Sequence, residues 1–296
     1  MIHTISNGKL TAKIDSLGSQ LISMTDQNGL EYIWQRETPY WQQCAPIPFP
    51  VVGRCKDGII TVDGQDYPMP DCHGFAQNMD FETAELTDSS VTLRIRDNEE
   101  TRKAYPFAFL FEVTHKIEND TLSTVLRVVN RSDREMPFGV GGHPGYRLPL
   151  LPDEKFTDYE LDFGKQVTLD TSCVDENFMI SSTLARRVVT DARTLSLDRN
   201  LFAADALIFE NPPFDSVILR SKKSGLGIHF VFKGFSTFAV WTEAAPSEAA
   251  FLCLEPWNGM GVRSGEGTEL AKKKGTLFLA PQQEFTCTYS AAPLQK

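Results

Sequence analysis

The stretch from residue 107 to residue 132 reads FAFLFEVTHKIENDTLSTVLRVVNRS. Its first half alternates apolar Phe109, Phe111, Val113 and Ile117 with polar Glu112, Thr114 and Lys116. Its second half repeats the pattern after Asn119-Asp120. A period of two over eight or more residues marks a strand with one buried face, and Asn-Asp between two such runs marks a turn. The segment is therefore two antiparallel strands joined by a tight connection.

The same reading extends in both directions. GKLTAKIDSLG, residues 8–18, puts Leu10, Ala12 and Ile14 on one face, and its neighbour runs through Leu21 to an Asn28-Gly29 turn. GIITVDGQDYPM, residues 58–69, carries Ile60 and Val62 up to an Asp63-Gly64 hairpin turn. FETAELTDSSVTLRIRDNEE, residues 81–100, is a second hairpin with Val91, Leu93 and Ile95 alternating. Further strand signals are QVTLD, RTLSLD, SVILRS, GIHFVFKG, STFAVWT, FLCLEP, GTLFLA and EFTCTYS. No long segment shows a helical apolar period. Residues 96–105 and 198–207 each read as a short helical turn at most. Strands spaced about 8–12 residues apart with Gly, Pro, Asn and Asp between them predict an all-β protein, a large antiparallel β-sandwich.

The chain has 296 residues, 41% of them hydrophobic and 23% charged, with 20 Phe and 17 Pro. That is a globular composition. No linker-like shift divides it, so residues 1–296 are expected to form one domain rather than two split near LPLLPDEKF at residues 148–156. The net charge is −10. An acidic balance argues against nucleic acid or an anionic membrane as partner. The N-terminus has no signal-peptide pattern, no apolar run is long enough to span a bilayer, and AAPLQK at the C-terminus carries no lipidation signal. Six cysteines without close CxxC spacing read as free thiols of a cytoplasmic protein, with Cys55 and Cys72 as small buried residues. A monomer or weak homodimer is expected.

Four segments break the strand pattern with Gly, Pro and ionisable groups. PFPVVGRCKDG, residues 48–58, contains Arg54, which needs a carboxylate, hydroxyl or ligand partner beside so apolar a run. DCHGFAQ, residues 71–77, places His73 at a tight turn, as a structural or a functional histidine. PFGVGGHPGYRLP, residues 137–149, fixes His143 between Gly141-Gly142 and Pro144-Gly145. An incidental loop histidine is the competing reading. FLCLEPWNG, residues 251–259, ends an apolar strand at Glu255, where desolvation raises a carboxyl pKa, with Trp257 two positions on. A solvated strand-end Glu is the alternative there. His3 reads as part of a frayed terminus, His115 as polar-face and His229 as half-buried. There is no HExxH, GxSxG or nucleotide-binding glycine motif, so no metal and no cofactor is expected.

Taken together, GRCKDG, CHGFA, GGHPGYRLP, ADALIF and CLEPWNG resemble the aldose 1-epimerase (galactose mutarotase) superfamily over nearly the whole chain, and in particular its poorly characterised bacterial mutarotase-like branch. The resemblance implies a β-supersandwich and cofactor-free interconversion of the α and β anomers of a hexose or related aldose. By motif it implies Glu255 as base, His143 as acid and His73 as an assisting histidine. It implies Arg54 and Asp205 as sugar ligands, with Trp241 and Trp257 lining the pocket. Acid and base are expected within reach of the sugar from different sides of the ring. Departures from better-known galactose mutarotases are Cys72 before His73, Gly-Gly before His143 and Pro256 after Glu255. The Glu-Pro pair is closer to hexose-6-phosphate 1-epimerases, so the partner is a small sugar or sugar phosphate. Arg96, Arg102, Lys103 and Arg147 are the candidate contributors to a phosphate pocket. A non-catalytic carbohydrate-binding protein, or a polysaccharide-processing enzyme with a long open cleft, are the competing classes on such a sandwich.

Overall fold

The computed structural model describes residues 1–294. The last two residues of the C-terminal AAPLQK, and with them the end of the 1–296 span, lie outside the described residues. The hairpin quoted above forms as expected: strands Phe109–Glu118 and Thr121–Asn130 pair in register from Phe109↔Asn130 to Glu118↔Thr121. They sit inside an antiparallel nine-stranded sheet. From one edge its strands are Ile180–Ser196, Tyr159–Val174, Ser216–Ser221, Gly227–Val231, Glu284–Pro293, Thr121–Asn130, Phe109–Glu118, Ser90–Arg96 and Glu82–Leu86. A five-stranded antiparallel sheet holds Leu207–Glu210, Thr237–Trp241 and Phe251–Asn258, with the short strands Val140–Gly141 and Gly145–Arg147 both paired to Phe251–Asn258. An N-terminal three-stranded sheet is built from Ile2–Ser6, Leu10–Asp15 and Gln20–Asp26.

The apolar faces of these sheets meet in a shared core. Leu10, Ala12, Ile14, Val91, Leu93, Phe111, Val113, Leu126, Val128, Phe230, Phe238 and Leu252 all belong to it. Burial of such side chains is the main favourable term, at roughly 25 cal/mol per Å² of apolar surface. The α-helix Glu99–Ala104, capped by Asn98, and the 3-10 turn Arg199–Phe202 lie inside the two stretches expected to turn, and further 3-10 turns at Lys56–Gly58, Ala76–Asn78, Phe156–Asp158 and Leu270–Lys272 lie outside them. No helix among the described residues is long and apolar enough to cross a membrane.

Two histidines depart from the sequence reading. His3 lies on the strand Ile2–Ser6, buried, with Nε2 3.1 Å from Thr83 Oγ1, rather than at a frayed end. His115 faces the core, not solvent. The N-terminal sheet covers it, and Ser19 and Thr124 supply its polar partners, so an apolar-phase position can hold an imidazole. His229 is half-buried on its strand, as expected.

Candidate active site

The strand Phe251–Asn258 is buried along its whole length. Alternation puts Glu255 and Trp257 on the same face. Glu255 is therefore a mid-strand residue in the middle of a sheet, not a strand-end carboxylate at a core boundary. Pro256 signals an end in sequence because it lacks an N–H. Here its carbonyl still accepts from Gly142 N–H at 3.0 Å, and the strand continues.

The opposing chain carries His143. Val140 and Gly141 pair with Asn258 and Trp257, and Gly145 pairs with Cys253. The ladder is interrupted between them, and register puts His143 across from Glu255. Gly142 N–H and Pro144 carbonyl hold the two ends of the break, bonding Pro256 and Leu254. A Cβ on Gly142 would come within 2.4 Å of the Tyr289 ring, so a side chain there would displace the segment. This close approach is the physical reason for glycine before the histidine.

His143 Nε2 lies 3.0 Å from Glu255 Oε2. Both residues are buried. Burial drives the His143 ring well below the ordinary histidine range, with His73 adding to the effect. Burial likewise drives the Glu255 carboxyl well above the ordinary range, with the Asp205 charge adding to it. Both shifts favour uncharged forms. At this 3.0 Å contact burial thus favours the uncharged pair over the ion pair. This differs from the carboxylate and imidazolium that the family resemblance implies. It also differs from acid and base on different sides of a sugar ring, because the two atoms are neighbours.

His73 completes the cluster. Its Nδ1 accepts from Gly53 N–H at 3.1 Å, which leaves the ring proton on Nε2. Burial, then the nearby cations of Arg54 and Lys273, lower its pKa to about 4. His73 is therefore a neutral N–H donor at neutral pH. It has a left-handed backbone, φ 68°, as does Asp205 at 69°. Non-glycine residues held there cost about 1–3 kcal/mol each and concentrate at functional sites. Gln77 fixes the His73 turn by donating to the carbonyls of Cys72 and Gly74 at 2.5 and 3.0 Å.

These groups line a cavity of about 730 Å³. Arg54, His73, His143, Asp205, Trp241, Glu255 and Trp257 all border it, so the expected site residues come together. The Arg54 partner proves to be aromatic: its guanidinium stacks over the Phe178 ring, 4.6 Å from the centroid. Burial raises the Asp205 carboxyl, while Ala206 N–H donates to it at 2.8 Å and Trp241 also hydrogen-bonds it. Trp41 and Trp241 flank His143, with ring centroids 5.0 and 5.9 Å away. Among the described residues, two buried polar atoms at the cavity, His143 Nδ1 and Trp257 Nε1, make no hydrogen bond to another residue. Such orphans are costly unless a ligand or water meets them.

Arg96, Arg102, Lys103 and Arg147 do not line the cavity. Arg102 pairs with Asp97 and Lys103 with Glu100, at 2.5 and 2.6 Å, on the turn after the strand Ser90–Arg96. Cys72 borders the cavity half-buried, its thiol pushed up to about 12 by burial, which makes it a poor nucleophile. Cys55 is buried. Sequence reading missed Trp41, Gln43, Phe178 and Glu243, which also line the cavity. Trp41 carried a faint signal, as an aromatic in the strand-free loop ahead of PIPFP. Facing atoms of His73, His143 and Glu255 lie within 4.8 Å of one another, the donor set through which this site would hold a divalent metal. The burial that raises the Glu255 carboxyl and the cations of Arg54 and Lys273 beside His73 oppose that use.

A family model described as aldose 1-epimerase matches residues 1–271. The chromosomal protein LacX of Lactococcus lactis subsp. lactis is 32% identical over 290 residues, covering 95% of each chain. The structure of a galactose mutarotase related enzyme from Lactobacillus acidophilus superposes with a TM-score of 0.94 at 34% identity, covering 100% of this chain and 98% of that one. A galactose mutarotase-like protein from Lactobacillus casei gives 0.92 at 26% identity, covering 99% and 100%. With the sandwich architecture and these matches together, the chain belongs to the aldose 1-epimerase family.

Proposed function

We propose that the protein is a cofactor-independent aldose 1-epimerase acting on an unphosphorylated aldose. The observation that carries this reading is the buried His143–Glu255 pair, 3.0 Å apart at the floor of the cavity. Opening a hemiacetal removes a proton from the C1 hydroxyl and delivers one to the ring oxygen. Both oxygens are bonded to the same carbon. A neighbouring proton acceptor and donor, as these two are, can reach both. In the ionic form of the pair, Glu255 takes the C1 hydroxyl proton while His143 protonates the ring oxygen. The result is an open-chain aldehyde and a neutral pair. Rotation about C1–C2 turns the other carbonyl face to the ring oxygen, and reversal of both transfers closes the second anomer. Burial favours the neutral pair, the form that the cycle reaches with the ring open. Hydroxyls of a bound sugar supply the polarity that the ionic form needs.

The other groups have supporting parts. His73 Nε2–H donates to charge developing on oxygen, as a neutral donor that adds no cation next to His143. Asp205 and Arg54 hold hydroxyls, and Trp257 and Trp241 offer ring faces and N–H groups to the sugar. Charge supports the unphosphorylated substrate. Arg54 is the one arginine or lysine along the described cavity lining, against the carboxyl groups of Asp71, Asp205, Glu243 and Glu255. A phosphate on C6 would lie beside the ring oxygen, near His143 and Glu255, where the burial that favours uncharged groups also disfavours a dianion. A binding-only protein has no need for a paired acid and base at the anomeric position, and a long polysaccharide cleft differs from this compact cavity. The test is anomer exchange by NMR on free and 6-phosphorylated hexoses. Acceleration with a free hexose and none with its phosphate is the expected outcome. Exchange accelerated only for phosphates contradicts the substrate class.

A further inference from the structure

Three successive lysines, Lys272 to Lys274, close the turn that begins at Leu270. The outer two are exposed and face carboxylates: Lys272 lies 3.5 Å from Glu269, and Lys274 pairs with Glu210. Lys273 is half-buried and turns inward, and its Nζ donates to the Met260 carbonyl. Burial lowers its pKa, which records the cost of drawing the ammonium out of water. A cation persists in such a place where it satisfies a group that would otherwise be left unpaired. Here that group is a backbone carbonyl of a buried residue, and among the described residues no backbone N–H bonds it.

The segment that Lys273 grips supports two site residues. Gly53 packs so closely on Gly261 that a Cβ on Gly53 would come within 2.4 Å of Gly261 Cα. Gly53 in turn holds His73 twice. Its N–H donates to His73 Nδ1 at 3.1 Å, and its carbonyl accepts from His73 N–H at 2.9 Å. Val262 N–H donates to the Arg54 carbonyl at 3.0 Å. The backbone from Met260 to Val262 is thus the rear support of both His73 and Arg54. Gly261 borders the cavity, whereas Lys273 stands behind it and does not. Without the ammonium the Met260 carbonyl loses its donor, and the Met260–Gly261 peptide gains freedom to turn toward another. Gly53 rests on that peptide, and the bond from Gly53 that keeps the ring proton on His73 Nε2 is the one such a movement weakens.

We propose that Lys273 is a positioning residue: by clamping the Met260 carbonyl it holds Gly261 behind Gly53 and so fixes His73 with its ring proton on Nε2, presented to the sugar. The inference rests on the anomerase reading given above. The experiment compares wild-type protein with Lys273→Met and Lys273→Arg by anomer-exchange kinetics, by nitrogen NMR of the His73 ring at neutral pH and by a thermal melt. The His73 signal is identified by its absence from the spectrum of His73→Gln. The wild-type ring shows the Nε2–H tautomer alone. Lys273→Met gives His73 a mixture of tautomers and lowers kcat/KM about 10-fold, the effect of a small misplacement of a catalytic group. Lys273→Arg keeps a cationic donor, and retains the wild-type tautomer with kcat/KM within about threefold. If Lys273→Met does not fold, Lys273→Gln, neutral and one atom shorter, carries the same comparison. A folded variant with the wild-type tautomer and rate overturns the proposal, and so does a change in only one of the two. Absence of acceleration for every sugar by the wild-type protein contradicts the anomerase reading, and the tautomer comparison then decides by itself whether Lys273 holds His73.

Discussion

His115, on a strand, and His143, in the break between two short strands, are both buried imidazoles, and burial lowers the pKa of each. They differ in what surrounds them. His115 Nε2 lies 3.0 Å from the Ser19 carbonyl and 3.3 Å from Ser19 Oγ, and its Nδ1 lies 3.2 Å from Thr124 Oγ1. Every ring nitrogen is satisfied by protein, inside a closed core. His143 bonds one carboxyl group, its Nδ1 bonds no other residue among those described, and it borders a cavity. Burial alone therefore does not mark a functional histidine. What marks it is capacity left over for something that is not protein.

The contrast can be broken in order of expected effect. His143→Asn should lower the anomerisation rate by roughly 10²–10⁴-fold, the range of a general acid–base contribution, with the folded state retained on thermal melting. A variant with wild-type kcat on every sugar would place His143 with His115 as a structural residue. His115→Gln should do the reverse. Loss of a buried, satisfied imidazole costs about 1–3 kcal/mol, and the melting temperature should fall by several degrees while kcat/KM stays within about twofold. A large activity loss at unchanged stability would erase the distinction.

Acid sharpens it further. His115 and His73 both have pKa values near 4 in the fold, pulled down chiefly by burial from an ordinary value of 6.5. The unfolded chain then binds more protons than the folded one between those values. Stability is fully present above about pH 6.5 and declines as pH falls toward 4. Melting temperature against pH should fall through that window, and the slope should be shallower in His115→Gln. A flat profile contradicts neutral burial of these rings. The smallest effect concerns the other orphan atom. Trp257→Phe keeps the ring face and removes the unpartnered N–H, so KM should rise a few-fold with little change in stability. An unchanged KM for every substrate would mean that the N–H meets no sugar.

How much was legible in sequence follows the same division. Strands with one wet face, such as Phe109–Glu118, write their period into the chain, and the hairpins at Asp63-Gly64 and Asn119-Asp120 follow from turn chemistry. Strands buried on both faces do not. Phe251–Asn258 has no polar alternation, and Pro256 reads as its end although it lies inside the sheet. The site motifs stood out because Gly, Pro and ionisable groups interrupt the strand pattern, so Arg54, His73, His143 and Glu255 were identifiable. Their mutual geometry was not. The 3.0 Å contact depends on pairing across more than a hundred residues, and the direction of both pKa shifts depends on that burial. His115 was misplaced for a related reason: Ser19, its main partner, lies on another sheet's connection, which local periodicity does not contain. Phe178 and Trp41 sit on loops that only the tertiary fold brings to the cavity.

The central claim is that Glu255 and His143 together move protons at an anomeric centre. Glu255→Gln tests it most directly, because glutamine keeps the shape of the protonated carboxyl and adds no charge to the core. The measurement is polarimetry of a freshly dissolved α-aldose that the wild-type protein turns over, with wild-type and variant at equal concentration and a thermal melt of each. The account predicts a folded variant whose anomerisation rate is indistinguishable from the uncatalysed reaction. A folded variant that retains the wild-type rate would contradict it.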